Sequence, residues 1–249
     1  MLFRIQPLHL LLATMLACAP VAAADSAGRP PNIVFFLCDD LGSGDLSCLG
    51  ARDIRTPEID ALFARGTRLS RHWAGSAVCA PSRCVLLTGR HPGHAAIRSN
   101  REVQPEGQTP LPPGTVTLAA ILAEAGYATG AFGKWGLGGP GSGSEPLDRG
   151  FKRFFGFNCQ REAHSYYPGH LWSDRERLPI DNPVVRREGT VPPEPPPTDA
   201  SFAPFRGKTY AADLIAEQQL AFVREHADRP FFLYVPTTVP HLAIAADRG

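Results

Sequence analysis

The 249-residue chain is 43% apolar and 20% charged, with a formal net charge of +1. A chain of this make-up buries a sizeable core, as one large α/β domain or two small ones. It has no long basic or acidic block, which speaks against a nucleic-acid partner and against a charged tail.

The N-terminus has the layout of a secretory signal. Met1 to Arg4 carries one positive charge, Leu8 to Leu16 is mostly apolar, and Ala22-Ala23-Ala24 before Asp25 fits a small-residue cleavage site. The apolar run is too short for a good transmembrane helix. The expectation is a signal peptide over residues 1–24 and an exported protein, periplasmic or extracellular, with no stable membrane insertion. Cys18 follows Met15-Leu16-Ala17, a poor lipoprotein cleavage site, so a lipid anchor there is not expected. Cleavage would leave Cys38, Cys48, Cys79, Cys84 and Cys159. That number is odd in an oxidising compartment, so at least one is unpaired or modified. No Cys-x-x-Cys and no zinc spacing with histidine occurs.

Ile33-Val34-Phe35-Phe36-Leu37 reads as a strand buried on both faces, closed by Cys38-Asp39-Asp40-Leu41-Gly42. Thr56-Pro57 opens a helix with Thr56 as N-cap, and Gly66 closes it. Thr67 to Trp73 fits a second strand. A helix is expected from Pro81, at its first position, to Gly89. Thr117 caps another that runs through Ala125, and Tyr127 to Phe132 is a short strand. Residues 136–150 form a glycine-rich loop and residues 190–204 a stiff proline loop. Tyr210 to His226 is a helix, and Phe231 to Val235 is a second buried strand. Strands alternating with helices predict an α/β fold with a mainly parallel sheet flanked by helices. Sites in such sheets gather at the carboxyl ends of strands. Asp39-Asp40, Lys134 and His241 all fall there.

Adjacent carboxylates at Asp39 and Asp40 repel unless a cation sits between them, and hard oxygens suit Ca²⁺ or Mg²⁺; a plain acidic turn is the alternative. Cys79 lies just before the expected helix N-terminus, where free N–H groups and the helix dipole favour an anion and lower a thiol pKa; a structural cysteine and a surface arginine at position 83 are the alternative. Arg83 adds a planar donor fork suited to sulfate or phosphate.

The run Cys79-Ala80-Pro81-Ser82-Arg83, followed by Leu87-Thr88-Gly89-Arg90, resembles the signature of the type I sulfatases, in the alkaline phosphatase superfamily. The resemblance implies that Cys79 is oxidised to formylglycine by a formylglycine-generating enzyme. The aldehyde hydrates, one hydroxyl attacks the sulfate sulfur, and the other lets the intermediate collapse to aldehyde and sulfate. It also implies that Asp39 and Asp40, with the modified Cys79, bind Ca²⁺, and that Arg83 steadies the modified residue. Gly133-Lys134-Trp135-Gly136-Leu137-Gly138 is similar to the family's Gly-Lys-Trp-His-Leu-Gly run, whose lysine binds sulfate; Gly136 replaces the histidine. Some bacterial members share that glycine, with a later stretch like Cys159-Gln160-Arg161-Glu162-Ala163-His164, so His164 is a candidate substitute. Pro240-His241 resembles the element whose histidine contacts sulfate or the leaving oxygen.

The resemblance covers nearly all of residues 31–245 and implies that residues 25–249 are the N-terminal part of a sulfatase catalytic domain. The family's Asp-Asn calcium ligands and a further lysine would lie beyond residue 249. The expected activity is hydrolysis of aryl or glycan sulfate monoesters. The alternatives are a phosphate or phosphonate ester hydrolase on the same scaffold, or an inactive truncated homologue. Gly136 to Gly141 also matches Gly-x-Gly-x-x-Gly, but Pro140 and the following Gly-Ser run deny it the helix a dinucleotide site needs. His91, His94, His170 and His226 read as surface or loop histidines, and Phe151, Phe154, Phe155 and Phe157 as core.

Overall fold

The computed structural model describes residues 28–183, residue 200 and residues 203–241. The elements are β1 (Ile33–Asp39), α1 (Pro57–Arg65), α2 (Cys79–Thr88), α3 (Leu118–Glu124), β2 (Ala128–Lys134), β3 (Arg153–Phe157), β4 (His170–Ser173), β5 (Glu176–Pro179), α4 (Ala211–Glu225) and β6 (Phe231–Pro240), joined by loops and short 3₁₀ turns. They form a single sheet of order β1-β6-β2-β3-β4-β5. Its first four strands are parallel, and β4 and β5 continue it as an antiparallel hairpin. The expected α/β fold with a mainly parallel sheet is what the chain adopts.

Period-two alternation along the central strands sorts their side chains onto two faces. In β6, Phe232 and Tyr234 join one core with Ala80, Cys84 and Leu87 of α2 and Ala119 of α3. Phe231, Leu233 and Val235 face the other way, into a second core with Ile215 and Phe222 of α4. Phe151 ties the first core together. Its ring stacks on Phe232 and Tyr234, with centroids 6.0 and 5.9 Å away, and meets Trp135 edge-on at 6.0 Å. Replacing so buried a ring leaves a void that its neighbours fill only in part. Phe151→Ala is therefore expected to cost about 3–5 kcal/mol, measured by urea unfolding.

Several expectations need correction. β1 is an edge strand among the described residues and is not buried on both faces: Val34 and Phe36 are 48% and 65% exposed. Thr67 to Trp73 forms no strand; Leu69 and Trp73 are exposed and no neighbouring strand pairs with the segment. The helix placed from Pro81 starts two residues earlier, so Cys79 is its first residue and Pro81 its third, where the missing N–H still costs no intrahelical bond. Lys134 ends β2 rather than following it. Strands β3, β4 and β5 were not foreseen. The proline loop lies largely outside the described residues.

His170 is not a loose surface histidine. It is buried in β4, with Nε2 3.0 Å from Glu106 Oε2, while Arg177 donates to Nδ1 over 3.1 Å. Trp172 Nε1 donates to the same carboxylate at 2.7 Å. Burial alone would raise the Glu106 carboxyl's pKa, but the His170 and Trp172 hydrogen bonds hold it below the ordinary range. All five described cysteines are free thiols.

Candidate active site

The carboxyl ends of β1, β6 and β2 lie side by side, and the N-terminus of α2 comes up to meet them. In the β1–β6 ladder Asp39 pairs with Pro240, after a register shift between Leu37 and Asp39. Asp40 then takes the left-handed conformation (φ 60°), which a short acidic side chain tolerates better than most. This turn sets both aspartates beside His241. Lys134 ends β2 immediately after Gly133, whose φ is +139° and where a Cβ would fall 2.2 Å from Pro236 O. Only glycine lets the neighbouring strand approach so closely there.

Asp39 is the hub. Its Oδ2 accepts from Lys134 Nζ at 2.6 Å, and its Oδ1 lies 3.4 Å from Arg83 NH2. All three side chains are at least 95% buried, at 5%, 0% and 2% exposure for Asp39, Lys134 and Arg83. Burial pushes the Asp39 carboxyl's pKa up, but Arg83, Lys134 and, more weakly, His241 outweigh it and hold it below the ordinary value. Lys134 Nζ also reaches Cys79 Sγ at 3.5 Å. One ligand atom each of Asp39, Cys79 and His241 lie within 4.8 Å of one another. His241 Nε2 is 3.5 Å from Asp40 Oδ2, and its ring stacks on His164 with centroids 4.3 Å apart and planes 7° from parallel.

Every residue singled out in the sequence thus stands at this one place: Asp39, Asp40, Cys79, Arg83, Lys134, His164 and His241. Arg83 is buried in α2 and donates to Lys134 O at 2.5 Å, so it braces the lysine and the aspartate together. A cavity of about 230 Å³ opens beside them, lined by Asp39, Asp40, Ser76, Cys79, Ser82 and Arg83. A larger hollow of about 530 Å³ lies at the far end of α2, around Leu86, Arg90, Val116 and Ile121, away from these groups.

Two supporting residues were not foreseen. Asn100 Oδ1 accepts from Ala80 N at 2.9 Å, giving the first turn of α2 the cap that its own Val78 cannot provide. Nothing in the local sequence of Asn100 announces this. Tyr166 donates its hydroxyl to His241 O at 2.8 Å and so fixes the backbone of that histidine. Burial, reinforced by Tyr210 and Asp39, drives the Tyr166 phenol's pKa well up, so it remains a donor. Its only sequence signal was proximity to His164.

The family model described as Sulfatase matches residues 31–248. The chain belongs to the sulfatase family. Human arylsulfatase A is 36% identical over 231 residues, which take in 89% of this chain and 43% of that protein. The N-acetylgalactosamine-6-O-sulfatase of Bacteroides thetaiotaomicron is 30% identical over 99% of this chain and 57% of that protein. The crystal structure of Ps i-CgsB in complex with k-i-k-neocarrahexaose superposes with a TM-score of 0.69 at 25% identity, covering 88% of this chain and 47% of that one. The sulfatase chain described here spans about half the length of these relatives. Among its described residues no helix is long and apolar enough to cross a membrane.

Proposed function

We propose that this chain is the nucleophile-bearing part of an exported, calcium-dependent sulfuric ester hydrolase acting on sulfated sugars through formylglycine at position 79. The observation that carries this reading is the placing of Cys79 Sγ at the start of α2, 3.5 Å from the buried Lys134 ammonium and beside Asp39 and His241. The donor set supports both the metal and the modification. Asp39 and Asp40 supply the carboxylate oxygens a hard cation takes, and the Lys134 ammonium already sits 2.6 Å from one of them. A thiol is too soft for calcium, whereas an oxygen-bearing residue 79 matches the two acids.

Asp39, Asp40 and the modified residue 79 would hold the ion; calcium, when bound, supplies positive charge that draws in and polarises a sulfate oxygen. Formylglycine supplies, as its hydrate, a hydroxyl to attack sulfur and a second to release the sulfate. Lys134 binds the sulfate oxygens and offsets the charge that grows on them. His241 and the stacked His164 face the leaving oxygen, where one of them delivers a proton. Arg83 holds Lys134 and Asp39 in register. The sugar-sulfate substrate class is supported by the similarity to the Bacteroides N-acetylgalactosamine-6-O-sulfatase and to Ps i-CgsB, whose structure holds k-i-k-neocarrahexaose.

The test is mass spectrometry of the Cys79 peptide from protein made with a formylglycine-generating enzyme, together with parallel assays on 4-nitrophenyl sulfate and 4-nitrophenyl phosphate. Formylglycine with preferential sulfate release is expected. An unmodified thiol beside an active modifying enzyme overturns the reading, and faster phosphate release moves the protein to phosphoryl chemistry. His164→Ala is expected to lower kcat/KM for the sulfate ester by roughly 10²-fold, the usual scale for a lost proton-transfer group. Export is checked by N-terminal sequencing of the secreted protein, which should begin at Asp25.

A further inference from the structure

The chain that runs on from β3 carries two amides with no partner among the described residues. Asn158 is fully buried and Gln160 is 4% exposed. Both polar atoms of each carboxamide lack a hydrogen-bond partner among the described residues. Leaving such groups unpaired in the interior is costly, because their hydration is lost with nothing in return, so they ask for an explanation.

Gln160 packs against Gly136, two residues past Lys134, and precedes His164 by four residues in the chain. The chain after Lys134 runs beside the chain after Phe157, with Trp135 N donating to Phe157 O and Gly136 N to Asn158 O. A Cβ built on Gly136 would lie 2.8 Å from Gln160 Cγ, 3.0 Å from its Cδ and 3.2 Å from Nε2. The Gln160 side chain therefore occupies the space that a side chain at 136 would fill, two residues from the sulfate-facing lysine. Four residues on, His164 stacks against His241. The glutamine's backbone is anchored too. Its N–H donates to Gln108 Oε1 at 2.8 Å, and Gln108 N donates to Gly138 O at 3.1 Å.

We propose that the Gln160 carboxamide is a substrate-binding group of this site, taking a hydroxyl of the sugar that carries the sulfate. This rests on the sulfatase reading above. Sulfate oxygens only accept hydrogen bonds, and Lys134 already serves them with full charge. A carboxamide both donates and accepts, and a hydroxyl is the partner that does the same. A site built to hydrogen-bond a hydroxyl discriminates strongly against ligands that lack it. Gly136 makes room for Gln160: any larger residue there meets the glutamine side chain and, at φ +80°, strains its own backbone.

The experiment uses the full chain, with N-acetylgalactosamine 6-sulfate, 4-nitrophenyl sulfate and inorganic sulfate as probes. Gln160→Met replaces the amide by an apolar chain of similar length. The expected result is a melting temperature unchanged or raised, since an unpaired buried amide is gone. Affinity for the sulfated sugar, by calorimetry, falls roughly tenfold, as for loss of one well-made hydrogen bond. Binding of inorganic sulfate and kcat/KM for 4-nitrophenyl sulfate stay within about twofold, because neither probe carries the hydroxyl. Gln160→Asn, which keeps the amide but withdraws it by one methylene, should show the same selective loss. A lower melting temperature with equal losses on all three probes would make Gln160 a structural residue. Undiminished sugar-sulfate affinity in either variant, or wild-type affinity for the sugar sulfate no greater than for inorganic sulfate, overturns the proposal. Absence of hydrolysis by the wild-type protein, with sugar-sulfate binding intact, counts against the sulfatase reading alone.

Discussion

Cys79→Ala is expected to abolish sulfate ester hydrolysis, by a factor on the order of 10³ or more, while leaving the fold in place. The size follows from the geometry. Residue 79 is the group in the described site that meets Lys134, Asp39 and His241 together, so no neighbour inherits its position. Ser82 lines the same cavity one turn further into α2, but none of those contacts reaches it. The small effect on folding follows from burial. Cys79 is only half-buried, its backbone stays helical with alanine, and alanine is the better helix former. Urea unfolding within about 1 kcal/mol of wild type, with turnover at background, is the predicted pair of results. Full turnover by the alanine variant would assign the nucleophile elsewhere and remove any need for formylglycine.

The site was more legible in the sequence than the sheet that carries it. The Asp39-Asp40 pair, Lys134 and His241 each sit at or after the end of a strand, and Cys79 with Arg83 opens a helix. Strand ends in a parallel sheet converge in space however far apart they lie in the chain. Their chemistry could therefore be grouped before the strand order was known. The hidden features depend on partners. β3 is only five residues long and carries a glycine, Gly156, next to its last residue. That residue has φ +151° and would meet Gly133 O at 2.0 Å if it bore a Cβ, so close strand packing selects it against ordinary strand propensity. Thr67 to Trp73 has a strand's composition but finds no edge to join. β1 has the apolar content of a central strand yet keeps one face open. Gln160 had no local signal, because its meaning arises only when Gly136 is seen to make room for it.

Asp39→Asn should be the most destabilising single change at the site and should also remove the response to calcium. Asp39 is the shared counter-charge for Lys134 and Arg83, both essentially excluded from water. Neutralising it leaves two buried cations without compensation, a change that typically costs about 3–5 kcal/mol. Asp40→Asn is the internal control. Its side chain is 62% exposed and pairs with His241, so its loss should cost no more than roughly 1 kcal/mol of stability while still weakening calcium binding. In wild-type protein, calcium at about a hundred times its dissociation constant should add on the order of 2.7 kcal/mol to the unfolding free energy. Asp39→Asn should show none of this. Acid titration without metal gives an independent sign. The Asp39 carboxyl is held below its ordinary value of 3.8, so it contributes stability above that pH. The contribution drains away as pH falls through the lower folded value. The wild-type protein should therefore lose stability over that acid range, and Asp39→Asn, already without the charge, should lose less. Equal acid sensitivity in the two proteins would mean that Lys134 and Arg83 do not rely on Asp39, and the hub assigned to it would have to move to another residue.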